Sequence, residues 1–159
     1  MAEGQDPQVH LSAIRTWTAR SGELQWIIEA HTLAAQHALS QADLAGACAE
    51  AEDGLRQARL CGYRLLEIEL GVTLSAIHLA WPDAAAALVA ARQALDLSTA
   101  PDCGYAWGEA DAAHAWGLAF VALGQPEPAR RAFTQALAVR QRISHPQAAA
   151  TRTALAALA

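Results

Sequence analysis

Apolar and polar positions follow one another with helical spacing in stretches of about 17 residues, and short clusters of Gly, Pro, Asp and Ser interrupt them. Alternate interruptions carry a glycine: Gly22 in RSGELQWIIEA, Gly62 in LCGYRLLEIE and Gly104 in DCGYAWGEAD, which recur at about 40 to 42 residues. Glycine suits such a place because a helix that ends on a left-handed residue meets no Cβ clash there. Between these glycines lie second breaks, SQAD at 40 to 43, WPD at 81 to 83 and GQPE at 124 to 127. The pattern predicts three antiparallel helical hairpins at about 22–60, 62–99 and 104–142. Their first helices fall near 23–39, 64–80 and 105–122, and their second helices near 43–60, 83–99 and 126–142. Pro82, Pro126 and Pro128 are expected at or just inside the starts of second helices, where a missing N–H costs nothing.

The ends continue the pattern. Residues 1–6 read as a flexible polar N-terminus, 7–20 as an amphipathic flanking helix and 147–159 as a further first helix. Residues 7–159 are therefore expected to form a single domain. The last helix is apolar over much of its surface, whereas a solenoid normally closes with a polar cap. An interior stretch of a longer repeat protein is the expectation.

Composition narrows the class. Ala and Leu dominate and β-branched and aromatic residues are few, so propensity favours helix throughout and the fold class is all-α. A net charge of −5 with 11 basic residues leaves no stripe that phosphate backbones or anionic membranes require, so neither nucleic acid nor membrane is an expected partner. Cys48, Cys61 and Cys103 are odd in number and far apart, which argues for reduced thiols. The N-terminus MAEGQDPQVH is polar and acidic, and no run of 18 apolar residues occurs, so the expected location is the cytoplasm.

The third hairpin carries a family likeness. In AWGLAFVALGQPEPARRAFTQAL, Trp116, Gly117, Phe120, Gly124, Ala129, Phe133 and Ala136 stand at the spaced large, small and aromatic positions of the tetratricopeptide repeat (TPR), which this segment resembles. The leading large position departs from the pattern, being Ala113. Small residues are needed where two helices approach closely, and they recur: Gly117 aligns with Ser75 and Ala35, and Ala129 with Ala87 and Ala47. Leu137, Leu95 and Leu55 recur too, while Ala38 and His78 align with Phe120, and Ala51 and Ala91 with Phe133. A period of about 40 is similar to the longer-helix subclass found in bacterial signalling ATPases and regulators, and HEAT-like solenoids share it. The resemblance implies a right-handed α-solenoid of antiparallel hairpins that binds a protein or peptide and has no enzymatic activity.

Carrying the family's groove positions across residue by residue implies a partner groove formed by Glu29, Thr32, Gln36, Glu69, Val72, Ala76, Asp111, His114 and Leu118. Glu29, Glu69 and Asp111 make an acidic ladder, one carboxylate per hairpin, which suits a basic segment. Acidic residues early in a helix are equally what its dipole and solvent favour. Trp26, Trp81 and Trp107 sit near hairpin ends, where an aromatic either anchors a ligand or packs between hairpins.

Catalytic chemistry finds no foothold. Glu67/Glu69 and Glu109/Asp111 are i,i+2 pairs whose side chains diverge by roughly 200 degrees on a helix, so neither pair acts as a dyad. The six histidines include no HExxH and no i,i+4 pair, and phosphate-loop and nucleophile motifs are lacking. No catalytic residue, metal site or cofactor is expected. The expected role is a scaffold or sensor module in a larger bacterial regulatory protein. Self-association through exposed solenoid ends is the alternative.

Overall fold

The computed structural model describes Ser12, Ala13, Thr16 and residues 23–158. Residues 1–6 and the break at Gly22 lie outside the described residues, and so does most of the helix expected over 7–20, of which Ser12, Ala13 and Thr16 are all helical. Seven helices run through the rest: α1 (Leu24–Ser40), α2 (Leu44–Cys61), α3 (Arg64–Ala80), α4 (Ala84–Ser98), α5 (Ala106–Ala122), α6 (Pro126–Arg142) and α7 (Ala148–Ala156). No strand occurs among the described residues.

The turns explain the boundaries. Gly62 and Gly104 take φ of 71° and 61°, and open space surrounds both, so backbone freedom alone selects glycine there. Asp43 and Asp83 cap α2 and α4, accepting the N–H of Gly46 at 2.9 Å and of Ala86 at 3.0 Å. Because Asp83 takes the cap, Pro82 lies in the turn before α4 and not inside its first turn. Pro126 opens α6 at its first position. The helix expected over 147–159 spans only Ala148–Ala156, with its final turn closed by Ala157 N–H on Thr153 O and Leu158 N–H on Leu155 O.

Each helix packs against its neighbours in sequence, so consecutive helices form hairpins and the hairpins stack. The first helices also touch one another, α1 on α3 and α3 on α5, and no contact of similar extent joins α2, α4 and α6. That asymmetry places the first helices on the inner side of a helical stack.

Small residues allow this closeness. Ala47, Ala87 and Ala129 are fully buried at equivalent points of α2, α4 and α6, as are Ala35 and Ser75 on α1 and α3. In the third hairpin Gly117 faces the buried ring of Phe133, and a Cβ on Gly117 would meet Phe133 Cε1 at 2.5 Å. Ala51 and Ala91 are fully buried at the positions equivalent to Phe133. Larger apolar groups fill what remains: Ile28, Leu66, Leu70, Leu74 and Ile77 close the first two hairpins, and Ile68 and Leu95 join Ala112, Ala113 and Ala136 in the next layer. Burial of each such Leu or Ile is worth about 1.5–3 kcal/mol, so these few residues carry much of the hydrophobic drive in an Ala-rich stack.

Candidate functional site

A cleft of about 190 Å³ opens on the inner side, where α1, α3 and α5 meet. Gln36 lines it from α1, Ile68, Glu69, Val72 and Thr73 from α3, and Tyr105, Trp107, Gly108 and Asp111 from the start of α5. Gly108 has a local reason: a Cβ there would stand 2.4 Å from the Tyr105 ring, so glycine lets the tyrosine fold back over its own helix. In that position the Tyr105 hydroxyl donates to Glu69 Oε1 at 2.7 Å. Burial raises the tyrosine's pKa, and the hydrogen bond to Glu69 and its charge add to the effect.

Behind the cleft lies a buried polar network. Arg140 on α6 donates through Nη2 to Asp111 Oδ1 at 2.6 Å and to Gln147 Oε1 at 3.2 Å. Through Nη1 it reaches the Gln147 carbonyl at 3.1 Å and the Thr151 hydroxyl. One side chain thus ties α6 to both α5 and α7. His145, in the turn before α7, is buried, and its Nδ1 accepts the Gln147 N–H at 3.1 Å. That bond assigns the proton of the neutral ring to Nε2, which points at Asp111 Oδ1 from 3.6 Å. The Trp107 ring lies against His145 with centroids 4.0 Å apart.

His114 belongs to this network and not to the cleft. Its Nδ1 lies 3.3 Å from Thr151 Oγ1 and its ring 5.2 Å from that of Phe133. Desolvation pulls its pKa down to about 4, the nearby Arg140 cation adds to this, and Asp111 opposes it.

Of the nine groove positions inferred from sequence, Gln36, Glu69, Val72 and Asp111 meet at the cleft. Glu29 lies farther along α1 and accepts from Gln25 Nε2 at 3.0 Å. Thr32 is buried, with its hydroxyl on the Ile28 carbonyl at 3.2 Å, and Ala76 and Leu118 are exposed. The acidic ladder is therefore not uniform. Asp111 is paired with a buried cation, while Glu69 holds a tyrosine hydroxyl. Glu67 and Glu109, the partners in the two i,i+2 pairs, turn away to Arg59 at 2.8 Å and toward Arg142 at 3.9 Å.

Sequence reasoning missed Tyr105, Arg140, His145 and Gln147. A signal for Arg140 existed: it occupies the position of Ala58 and Ser98 in the earlier hairpins, both buried, so a large cation at that register requires an inward partner. Trp26, Trp81 and Trp107 are all between 42% and 47% exposed, so none is a buried packing residue. Among the described residues, no group of three or more His, Cys, Asp or Glu side chains could hold a metal ion, and no helix is long and apolar enough to cross a membrane.

No protein-family profile matches the chain, and no curated protein matches it in sequence. Among solved structures it is similar to the crystal structure of BtubC (BKLC) from P. vanneervenii, with a TM-score of 0.78 and 17% sequence identity. The alignment covers 96% of this chain and 62% of that one, so the chain spans less than two thirds of its structural neighbour. At this identity the likeness shows a shared helical fold and nothing finer.

Proposed function

We propose that this chain is a TPR-like interaction module that holds an extended segment of another protein along the inner face formed by α1, α3 and α5. The observation that carries this reading is the inner cleft, where two carboxylates held by internal hydrogen bonds stand beside the exposed ring of Trp107. Its size favours a side chain over a free small molecule: about 190 Å³ falls below the roughly 300–1,000 Å³ of ligand and cofactor pockets. The proposal extends to a cytoplasmic, non-catalytic scaffold or sensor.

The test is selection of displayed random peptides against the whole chain, followed by affinity measurement on the wild type and on Gln36→Trp. Gln36 is exposed at the cleft rim, so the added ring fills the site without disturbing the core. Selected peptides should lose roughly tenfold or more in affinity. Recovery of no binding peptide, or binders indifferent to Gln36→Trp, would overturn the reading. Asp111 is unsuited to charge reversal, because a lysine there would face the buried Arg140.

A further inference from the structure

Resting on the binding role just proposed, we infer that the cleft between α3 and α5 is a pocket for a single arginine side chain of the bound segment. Four observations converge on this occupant. The first is the disposition of the carboxylate oxygens. Among the described residues Asp111 bonds Arg140 through Oδ1, and Glu69 takes the Tyr105 hydroxyl on Oε1. Each carboxylate is thereby held by one oxygen, and its second, Oδ2 or Oε2, makes no hydrogen bond among the described residues. Two acceptor oxygens fixed on neighbouring helices suit a forked, planar donor better than the compact ammonium of lysine.

The second is the charge count. Glu69 and Asp111 bring two negative charges and Arg140 one positive charge, while His145 takes a hydrogen bond at Nδ1 as a neutral ring does. The site is short of one positive charge. The third is a buried polar atom without a partner: His145 Nε2 makes no hydrogen bond, its side chain is 2% exposed, and it is aimed at Asp111 in the cleft wall. A guanidinium seated on Asp111 Oδ2 leaves Oδ1, the oxygen this N–H faces, to Arg140 and His145. The fourth is the wall itself. Trp107 is 46% exposed and its ring is held against His145, which gives a guanidinium plane an aromatic surface to stack on. Ile68 and Val72 supply apolar floor for the methylene stem.

The experiment is an NMR titration of the whole chain with N-acetyl-arginine amide and with its neutral isostere N-acetyl-citrulline amide, following the Trp107 indole N–H and the amides of Glu69, Tyr105 and Asp111. Arginine should give saturable shifts confined to these groups, at roughly tenfold lower concentration than citrulline. The same titration on Glu69→Gln, which still accepts the Tyr105 hydroxyl, should weaken arginine binding and leave citrulline unchanged. Equal response to the two probes, or shifts that fail to saturate or fall elsewhere, would overturn the inference. Such a failure leaves the binding role standing if displayed peptides without arginine still depend on Gln36. The loss of all peptide binding would remove that role on its own evidence.

Discussion

Arg140 and Asp111 form an ion pair of 2.6 Å across 29 residues of sequence, with the arginine side chain 2% exposed and the aspartate 28%. The two partners are thus unequal in their access to water, and that inequality decides what their loss costs.

Asp111→Ala should destabilise the chain by about 3–5 kcal/mol, because it strands a buried cation with only neutral acceptors. Arg140→Met should cost clearly less, since Asp111 can turn to solvent and the methionine refills the space. Paired with Asp111→Leu, it should recover much of the loss, as apolar replacements of buried ion pairs commonly do. Urea unfolding midpoints of the three variants check this, and equal losses for the two single variants would contradict it.

His114 sets an acid limb of stability. Its folded pKa of about 4 lies below the ordinary value of 6.5, so the unfolded chain takes up a proton first as pH falls. The contribution is complete above pH 6.5 and is lost as pH falls toward 4. Carboxylates titrate in part of the same window, so the measurement is a difference. The urea midpoint of the wild type should fall more steeply over this range than that of His114→Gln, and parallel curves would show that His114 does not carry the effect.

Gly117 and Phe133 test the close approach within the third hairpin. In an exposed helix Gly→Ala gains up to about 1 kcal/mol, yet at Gly117 the new Cβ would overlap the Phe133 ring, and overpacking of this kind costs about 1–3 kcal/mol. The net effect should be a loss. Combining Gly117→Ala with Phe133→Ala recreates the small residues found at both equivalent positions of the first hairpin, Ala35 and Ala51. The double variant should lose less than the sum of the singles, and strict additivity in thermal or urea unfolding would deny the contact.

The hairpins were legible because their signals are local. Gly62 and Gly104 announce left-handed turns, SQAD, WPD and GQPE announce the breaks between them, and six of the helices lie within one residue of the spans those breaks predict. The cleft was half legible, since one acidic residue per hairpin follows the repeat and Glu69 and Asp111 do reach it. Its chemistry was not, because it depends on departures from the repeat. Arg140 replaces the small Ala58 and Ser98, and Gln147 stands where Tyr63 and Tyr105 stood, so Asp111 acquires a cation where Glu69 has a phenol. Such a pairing spans 29 residues and a turn, and periodicity carries no information about it.

Tyr105 provides a probe of the cleft that requires no ligand. An ordinary tyrosine ionises near pH 10, but Tyr105 is raised above this, first by burial and then by its bond to Glu69. The fold therefore favours the protonated phenol, and the unfolded chain gives up that proton first, so this contribution to stability falls as pH rises above about 10. In a titration followed at 295 nm, Tyr105→Phe should remove the late part of the absorbance rise and leave the early part in place. Glu69→Gln should move the late part only some of the way back, since it removes the carboxylate's charge but leaves the burial, which is the larger influence. A complete return to the ordinary range would mean that Glu69 dominates. No movement at all would mean that the 2.7 Å bond between Tyr105 and Glu69, and with it the fixed carboxylate of the cleft, does not persist in solution.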